Sequence, residues 1–499
     1  MSVRTLNGRA AKARRAEPKR LLADEERILT KAQCDAIAQR IFAFARGGGE
    51  TQVQIGSWTR GELRWARNRV SLASDRRDVR VEIHRIVPNV GGGKAITNQL
   101  DDESLEAAVR AAERLAAVSH QPVRPRPGFP APPEGSWPKS AIWSDETYSS
   151  TPETRGDVAR KLIDPTEAKG FYSAGYIEMH AGTSMRVSSV RAAGPYSVDD
   201  VPYVRWTQAQ CSMTVRDQKG AGSGWAGLSS YDWKSIDTAA LGARALQKCE
   251  ASRNPATLEP GRYTVILEPQ AVAELMQIVA ASIDREIAES GMGPWTLAPD
   301  DAVRIGGNPI WRTKLGLKVI DDRITIDHDP SDPRLGIVPQ PWMEQVTFFE
   351  KGVLKSLEYA RRYALASLGK NAARRGMWAY RMSGGTTTVD EMISTTQRGL
   401  LVTRFSDIRT LDGNSLLSSG LTRDGLWLVE HGKITKAVKN LRFTESPLFV
   451  LNSIEQLGEP VPVFRPVRSA YEQAIPLTPA IVPPLKARDF SFTSTIDAI

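Results

Sequence analysis

Six ionisable side chains fall within one short run, at Asp321, Asp322, Asp327, His328, Asp329 and Asp332. Clustered carboxylates suit a hard cation. The spacing nevertheless matches no EF-hand loop, and Pro330 and Pro333 stiffen the run as a turn, so no specific metal is expected there. Gly91-Gly92-Gly93-Lys94 has the residue types of a phosphate-cradling loop, yet it lacks the GxxxxGK[ST] spacing, and no Ser or Thr follows Lys94 to hold Mg2+. The five histidines (His84, His120, His180, His328, His431) stand in no G-x-S-x-G or Ser/His/Asp context. Cys34, Cys211 and Cys249 show no CxxC spacing, which argues against a disulfide framework and a cysteine-based zinc site. No isolated motif announces a chemistry.

The elements that would position functional residues centre on Gly261 to Ser290. Arg262 to Leu267 is a β-branched, apolar run of buried-strand length. Glu268-Pro269 interrupts it, and proline suits the first turn of a helix. Val272, Leu275, Met276, Val279, Ile283 and Ile287 then recur at helical spacing, which predicts one helix over 269–290, with Glu274, Asp284 and Glu286 on other faces.

Upstream, residues 31–45 predict a short amphipathic helix through Ile37, Ile41 and Phe44. Strands are expected at 52–55, 63–72 and 79–87. Asp101 to Glu103 cap a helix whose stripe is Leu105, Ala108, Val109, Ala112 and Leu115. Residues 122–138 hold seven prolines and read as an extended linker. A second β-rich block follows at 172–179, 185–190 and 204–215. A glycine-rich turn at 220–225 and a helix over 236–249 close it. Beyond the central helix the pattern is predominantly β.

At 499 residues, 41% hydrophobic and 25% charged, the composition is that of a globular protein, with no apolar run near membrane-spanning length. The net charge of +9 sits mostly in one place. Residues 1–20 carry seven cations against Glu17 alone, or +6, which leaves +3 for the remaining 479 residues. A near-neutral body without a basic stripe argues against nucleic-acid binding. No apolar stretch follows Arg14-Arg15, so a secretory or twin-arginine signal is not expected, and a cytoplasmic location is.

Several patches together resemble the TldD/PmbA family of metallopeptidases, long labelled modulators of DNA gyrase. Leu63 to Val70 is similar to its "Leu-Arg-x-Ala-x-Asn" strand, and Gly91 to Asn98 to its glycine-rich turn before "a-x-T-N". The Leu258-to-Gly261 turn, strand and helix resemble its C-terminal domain junction. Ile324 to Pro330 resembles "I-T-I-x-D-D-P", with His328 where an acid is common. Gly352 to Leu357, Arg398 to Val402 and Gly425 to Thr435 resemble "G-x-L", "R-G-L-L-V" and "G-x-x-I-E-N-G-K-I-T".

The resemblance implies that the helix after Pro269 is where peptidase members carry HExxxH, two histidines for Zn2+ and a glutamate for its water, with a cysteine ligand further on. Here that helix has no histidine and no cysteine follows Cys249. No catalytic and no metal-binding residue is therefore assigned. The resemblance is to the PmbA (TldE) branch, which implies a non-catalytic subunit of a zinc metalloprotease that cleaves unfolded or leader peptides. It implies no cofactor in this chain, zinc in a TldD-like partner, a heterodimer with that partner or alternatively a homodimer, and an extended peptide substrate. Alternatives from other classes are a stand-alone peptidase with a divergent site and a regulatory, gyrase-modulating binding protein.

The expected fold is α+β, an N-terminal mixed α/β half followed by a mainly antiparallel, β-rich C-terminal domain packed around one long helix. Expected segments are a basic arm (1–29), an α/β domain (30–118), a proline-rich linker (119–140), a middle α/β segment (141–255) and the C-terminal domain (256–499). Backbone pairing at a sheet edge would hold a peptide, and Asp327, His328, Asp329, Gly384 and Gly385 are the candidates for lining its groove.

Overall fold

A computed structural model of the protein describes residues 27–87, 90–119, 142–189, 201–218, 222–297, 302–305, 308–337, 344–370, 372–465 and 479–496. The basic arm to residue 26 and the proline-rich stretch 120–141 lie outside them. Helix α1 (Lys31–Phe44) starts with a reciprocal capping box between Thr30 and Gln33. Two long strands follow, β1 (Glu50–Ala66) and β2 (Arg69–Val87), then β3 (Gly91–Thr97) and α2 (Asp102–Val118), which Asp101 caps through the Ser104 N–H. The strand expected over 63–72 is in fact folded back on itself. Arg67 and Asn68 take φ of 50° and 61°, the left-handed pair that a two-residue hairpin turn demands. Asn68 ties that turn to the next strand pair by accepting from the Ser173 N–H at 2.7 Å and donating to the Phe171 carbonyl at 2.9 Å.

The same layout then repeats. Beyond the short α3 (Asp145–Tyr148) come α4 (Pro152–Ala168), β4 (Tyr172–Ser188), β5 (Val201–Arg216), β6 (Ser223–Ser230) and α5 (Thr238–Ala251). β1 pairs antiparallel with β4, so the segments expected at 30–118 and 141–255 share one six-stranded sheet in the order β3-β2-β1-β4-β5-β6. In each repeat a glycine strand lies directly under the closing helix. A Cβ on Gly93 would stand 2.0 Å from the Ala112 carbonyl oxygen, and one on Gly224 would stand 2.1 Å from that of Ala245. The glycines expected in turns at Gly91 to Gly93 and Gly222 to Gly224 therefore serve close packing of helix on strand. One mismatch on α2 is plain: Ala116 is buried, and Leu115, placed in the stripe, is 49% exposed.

The C-terminal half opens with β7 (Gly261–Leu267), α6 (Pro269–Ser282) and α7 (Arg285–Glu289), followed by the hairpin β8 (Ala302–Ile305) and β9 (Asn308–Trp311). A second sheet, six-stranded, is built from β10 (Ile326–His328), β11 (Val346–Glu350), β12 (Val353–Leu354) and β13 (Tyr380–Met382), with two short strands from the C-terminal end added beside β13. Short α8 (Arg361–Tyr363) and α9 (Val389–Ser394) flank β13. Then come β14 (Arg398–Asp412), β15 (Leu417–Glu430), β16 (Lys433–Ala437), β17 (Leu441–Glu445), α10 (Pro447–Asn452), β18 (Ile454–Leu457), β19 (Val461–Pro462), β20 (Ala480–Val482) and β21 (Leu485–Thr495). Strands β14, β7, β21, β17 and β15 pair in that order and β15 returns to β14, which closes a barrel. The pairings are antiparallel except β7–β14 and β13–β20. The fold is α+β, with a mainly antiparallel C-terminal half.

Helix α6 lies between the barrel and the second sheet. Its Val272, Leu275, Met276 and Val279 share one apolar core with Ile326, Phe348 and Met382 of the sheet and with Val402 and Phe405 of the barrel. Its first turns are covered on all faces and bury Gln270 and Glu274 as well, so Glu274 does not stand on an exposed face. Nor does the helix run to residue 290. It stops at Ser282, because Glu358 forms a parallel bridge with Asp284, donating to the Ile283 carbonyl at 2.7 Å and accepting from the Arg285 N–H at 2.8 Å. Asp284 then caps α7, and Ile287 is left 45% exposed.

Candidate functional site

The buried polar groups of α6 meet one another and β14 of the barrel. Gln270 donates to the Glu274 carboxylate at 3.0 Å, and the other Glu274 oxygen accepts the backbone N–H of Phe405 on β14. Arg404 lies between two acids, its Nε 3.5 Å from Glu274 and its Nη1 3.7 Å from Asp424 on β15. Its guanidinium also covers the Trp225 ring of β6, 4.5 Å from the centroid. Ser223 of β6 donates to Asp424 at 2.8 Å, and Lys248 of α5 meets Glu268 at 2.6 Å. These contacts join the two halves of the molecule.

Burial dominates the electrostatics here. It pushes the Glu274 carboxyl up to about 7, against the pull of Arg404 and the Gln270 and Phe405 hydrogen bonds. A carboxyl poised near neutrality at a seam is the arrangement expected of a functional position. It was missed in the sequence. The signal was a glutamate whose helical neighbours Ala271, Leu275 and Ile278 leave it no solvated face.

The groove candidates lie elsewhere. Asp327 sits on β10 opposite Arg381 of β13 and binds it through two hydrogen bonds of 3.0 and 2.5 Å. Arg381 also reaches Asp329 at 3.2 Å and Asp332 at 3.1 Å, while Arg334 holds Asp332 at 2.7 Å. Burial alone would raise the Asp332 carboxyl, but its hydrogen bonds to Arg334 and Arg381 outweigh that and hold it at about 2. The His328 ring is fully enclosed, with Nδ1 against the Ala379 carbonyl at 2.7 Å and burial pulling its pKa down, so it supports the wall without facing a ligand. The antiparallel β10–β13 pairing sets Ile326 opposite Met382 and Asp327 opposite Arg381, so the 324–330 and 382–388 segments meet at their near ends. Gly384 and Gly385 form an exposed turn that backs onto the chain at 457–460, Gly385 donating to the Gly458 carbonyl at 2.8 Å. A Cβ on Gly384 would stand 2.3 Å from that same oxygen.

Zinc takes histidine, cysteine and carboxylate ligands. On α6 the polar groups are the Gln270 amide, the already engaged Glu274 carboxylate, Gln277 and Ser282, a donor set that does not fit that ion. Among the described residues no three His, Cys, Asp or Glu side chains gather in a way that would hold a metal. Among them, too, no helix is long and apolar enough to cross a membrane.

Residues 260–494 match the model of the PmbA/TldA metallopeptidase C-terminal domain. No curated protein matches the sequence. Three solved structures share the fold at low identity. A protein described as a modulator of DNA gyrase from Thermotoga maritima aligns over 92% of this chain and 100% of its own, with 16% identity and a TM-score of 0.72. TldE from Thermococcus kodakarensis gives 16%, 92%, 100% and 0.71 for identity, the two coverages and TM-score. A second protein described as a modulator of DNA gyrase, from Bacteroides thetaiotaomicron, gives 17%, 93%, 99% and 0.72.

Proposed function

The chain belongs to the TldD/PmbA family, and we propose that within it this protein is the non-catalytic subunit, presenting an extended peptide to a separate metal-bearing chain. The observation that carries the reading is α6. Most of its length is buried, it carries no histidine, and Gln270 and Glu274 already bind one another and the neighbouring backbone, so no open ligand set offers itself to a metal and its water. Chemistry would come from a zinc-bearing, TldD-like partner in the cytoplasm, and the substrate would be an unfolded or leader peptide.

This chain's share is recognition. A peptide in extended form is held by backbone hydrogen bonds, with side-chain pockets adding loose selectivity. The wall formed by Asp327, Asp329 and Arg381, and the exposed Gly384–Gly385 turn, are the proposed groove, with His328 behind it.

The isolated protein should leave an unfolded peptide intact and hold no stoichiometric zinc. Mixed with a relative bearing HExxxH it should support cleavage, and Gly384→Val should weaken that cleavage by about tenfold, as the added Cβ displaces the 458–460 backbone. Peptide hydrolysis by the chain alone that survives chelation, or one tightly held Zn per chain by elemental analysis, would overturn the assignment.

A further inference from the structure

One residue of the C-terminal half crosses into the seam with the N-terminal six-stranded sheet as a bound peptide would. Phe464 lies just past β19, and the Gln270 side chain reads its backbone in both directions. Gln270 accepts the Phe464 N–H at 3.1 Å and donates to the Phe464 carbonyl at 3.2 Å. The next amide, of Arg465, donates to Ser229 of β6 at 3.1 Å. The Phe464 ring packs edge-on against Trp225 and Tyr176, at centroid distances of 5.6 and 6.4 Å. Arg404 and Arg64 lie over those two aromatics. Position 227 is glycine, where a Cβ would stand 2.7 Å from the Trp225 ring and 3.2 Å from the Phe464 ring.

Three features separate this contact from ordinary core packing. Phe464 is 6% exposed, yet neither it nor Trp225 belongs to any of the apolar cores formed by the described residues. The backbone is recognised by a side-chain amide, which any residue type would satisfy, and the ring by a pocket, which selects. Finally, Pro460 and Pro462 lead into the segment, and proline restricts the chain to extended backbone while removing donors. The root of the segment rests on the Gly384–Gly385 turn through Gly458.

We propose that this seam is a peptide-binding site for an extended segment bearing a large aromatic side chain, and that Val463–Arg465 occupy it as an internal surrogate. Gln270 and Ser229 supply the backbone contacts, and Tyr176, Trp225 and Gly227 form the aromatic pocket. The use of the site rests on the peptide-presenting role above, but its existence is tested on this chain alone.

The test uses the full chain with Phe464→Ala and a fluorescein-labelled nonapeptide of alanine and proline with one central phenylalanine, followed by anisotropy. Emptying a pocket of this size should tighten binding by about tenfold or more over the unsubstituted protein. The same peptide with alanine at its centre should gain nothing, and adding Gly227→Leu should abolish the gain. If Phe464→Ala does not fold, Gln270→Ala in the otherwise unchanged chain provides the second measurement. It should raise chymotryptic cleavage after Phe464 by about tenfold, and the phenylalanine peptide should raise it further by keeping the segment out. A folded Phe464→Ala protein with unchanged affinity, equal binding of the two peptides, or unaltered cleavage in Gln270→Ala would overturn the site. Peptide binding without cleavage by a metal-bearing partner would leave the site standing and remove the presenting role.

Discussion

Two acid–arginine clusters in this protein use the same side chains to opposite effect. Around Arg381, three aspartates on the β10 side of the second sheet stand within 2.5 to 3.2 Å of the guanidinium, and Arg334 adds a second cation. Around Arg404, two carboxylates stand at 3.5 and 3.7 Å, and the Nε has no hydrogen-bond partner among the described residues. The first cluster lowers the Asp329 and Asp332 carboxyls, Asp332 to about 2. The second leaves Glu274 at about 7, because burial outweighs one loosely engaged arginine. The Arg381 cluster therefore behaves as a brace whose charge does not change near neutrality. The Arg404 cluster, at the seam between sheet and barrel, changes charge in that range.

The largest expected effect tests the brace. Arg381→Ala leaves Asp327, Asp329 and Asp332 facing one another with only Arg334 nearby, and should cost about 3 kcal/mol of unfolding free energy in urea melts. Arg381→Lys should recover only part, since a point charge cannot make the paired contacts to Asp327. A loss under about 0.5 kcal/mol would reduce the cluster to ordinary surface ion pairs and erase the contrast.

The next effect tests the seam. Glu274 has a folded value of about 7 against 4.5 for the free side chain. Its folded form therefore keeps a proton that the unfolded chain has lost. The stability this gives is fully present below pH 4.5 and disappears as pH rises through 7. Glu274→Gln, neutral at every pH, should match the parent near pH 4.5 and be more stable by about 3 kcal/mol above pH 8. A stability difference that does not vary between pH 5 and 8 would show that Glu274 is ionised throughout.

That contrast bears on what the sequence allowed to be read. The strand and helix of 261–282 were legible because Pro269 and a 3.6-residue apolar period are local signals. The Asp101 cap was legible for the same reason. The break at Ser282 was not, since its cause is a backbone bridge to Glu358, a tertiary partner with no local trace. The Arg67-Asn68 turn lacked the Asn-Gly pair that usually marks a two-residue hairpin. The barrel depends on β7 pairing in parallel with β14, which no periodicity announces. For the candidate site the acidic run at 321–332 drew notice by density alone, yet density is what allowed arginines to neutralise it. Glu274, a single charge in an apolar helix, gave the weaker sequence signal and has the more perturbed chemistry.

The smallest expected effect returns to the brace. Asp332 caps the turn at Pro333 by accepting the Arg334 N–H at 2.9 Å, and its other oxygen meets Arg334 and Arg381. Asn at this position keeps the cap, because its side-chain oxygen can still accept that N–H, and removes the charge together with the Oδ2 acceptor that Arg334 and Arg381 share. The folded carboxyl titrates at about 2 against 3.8 when free, so its stabilisation is present above pH 3.8 and is lost as pH falls through 2. Asp332→Asn should therefore cost about 1 kcal/mol at pH 7, with the two proteins converging below pH 2. The acid limb of this variant runs opposite in sign to the neutral limb of Glu274→Gln. If both differences grew in the same direction with pH, the two clusters would not differ in kind, and the raised carboxyl at the seam would need another cause than burial.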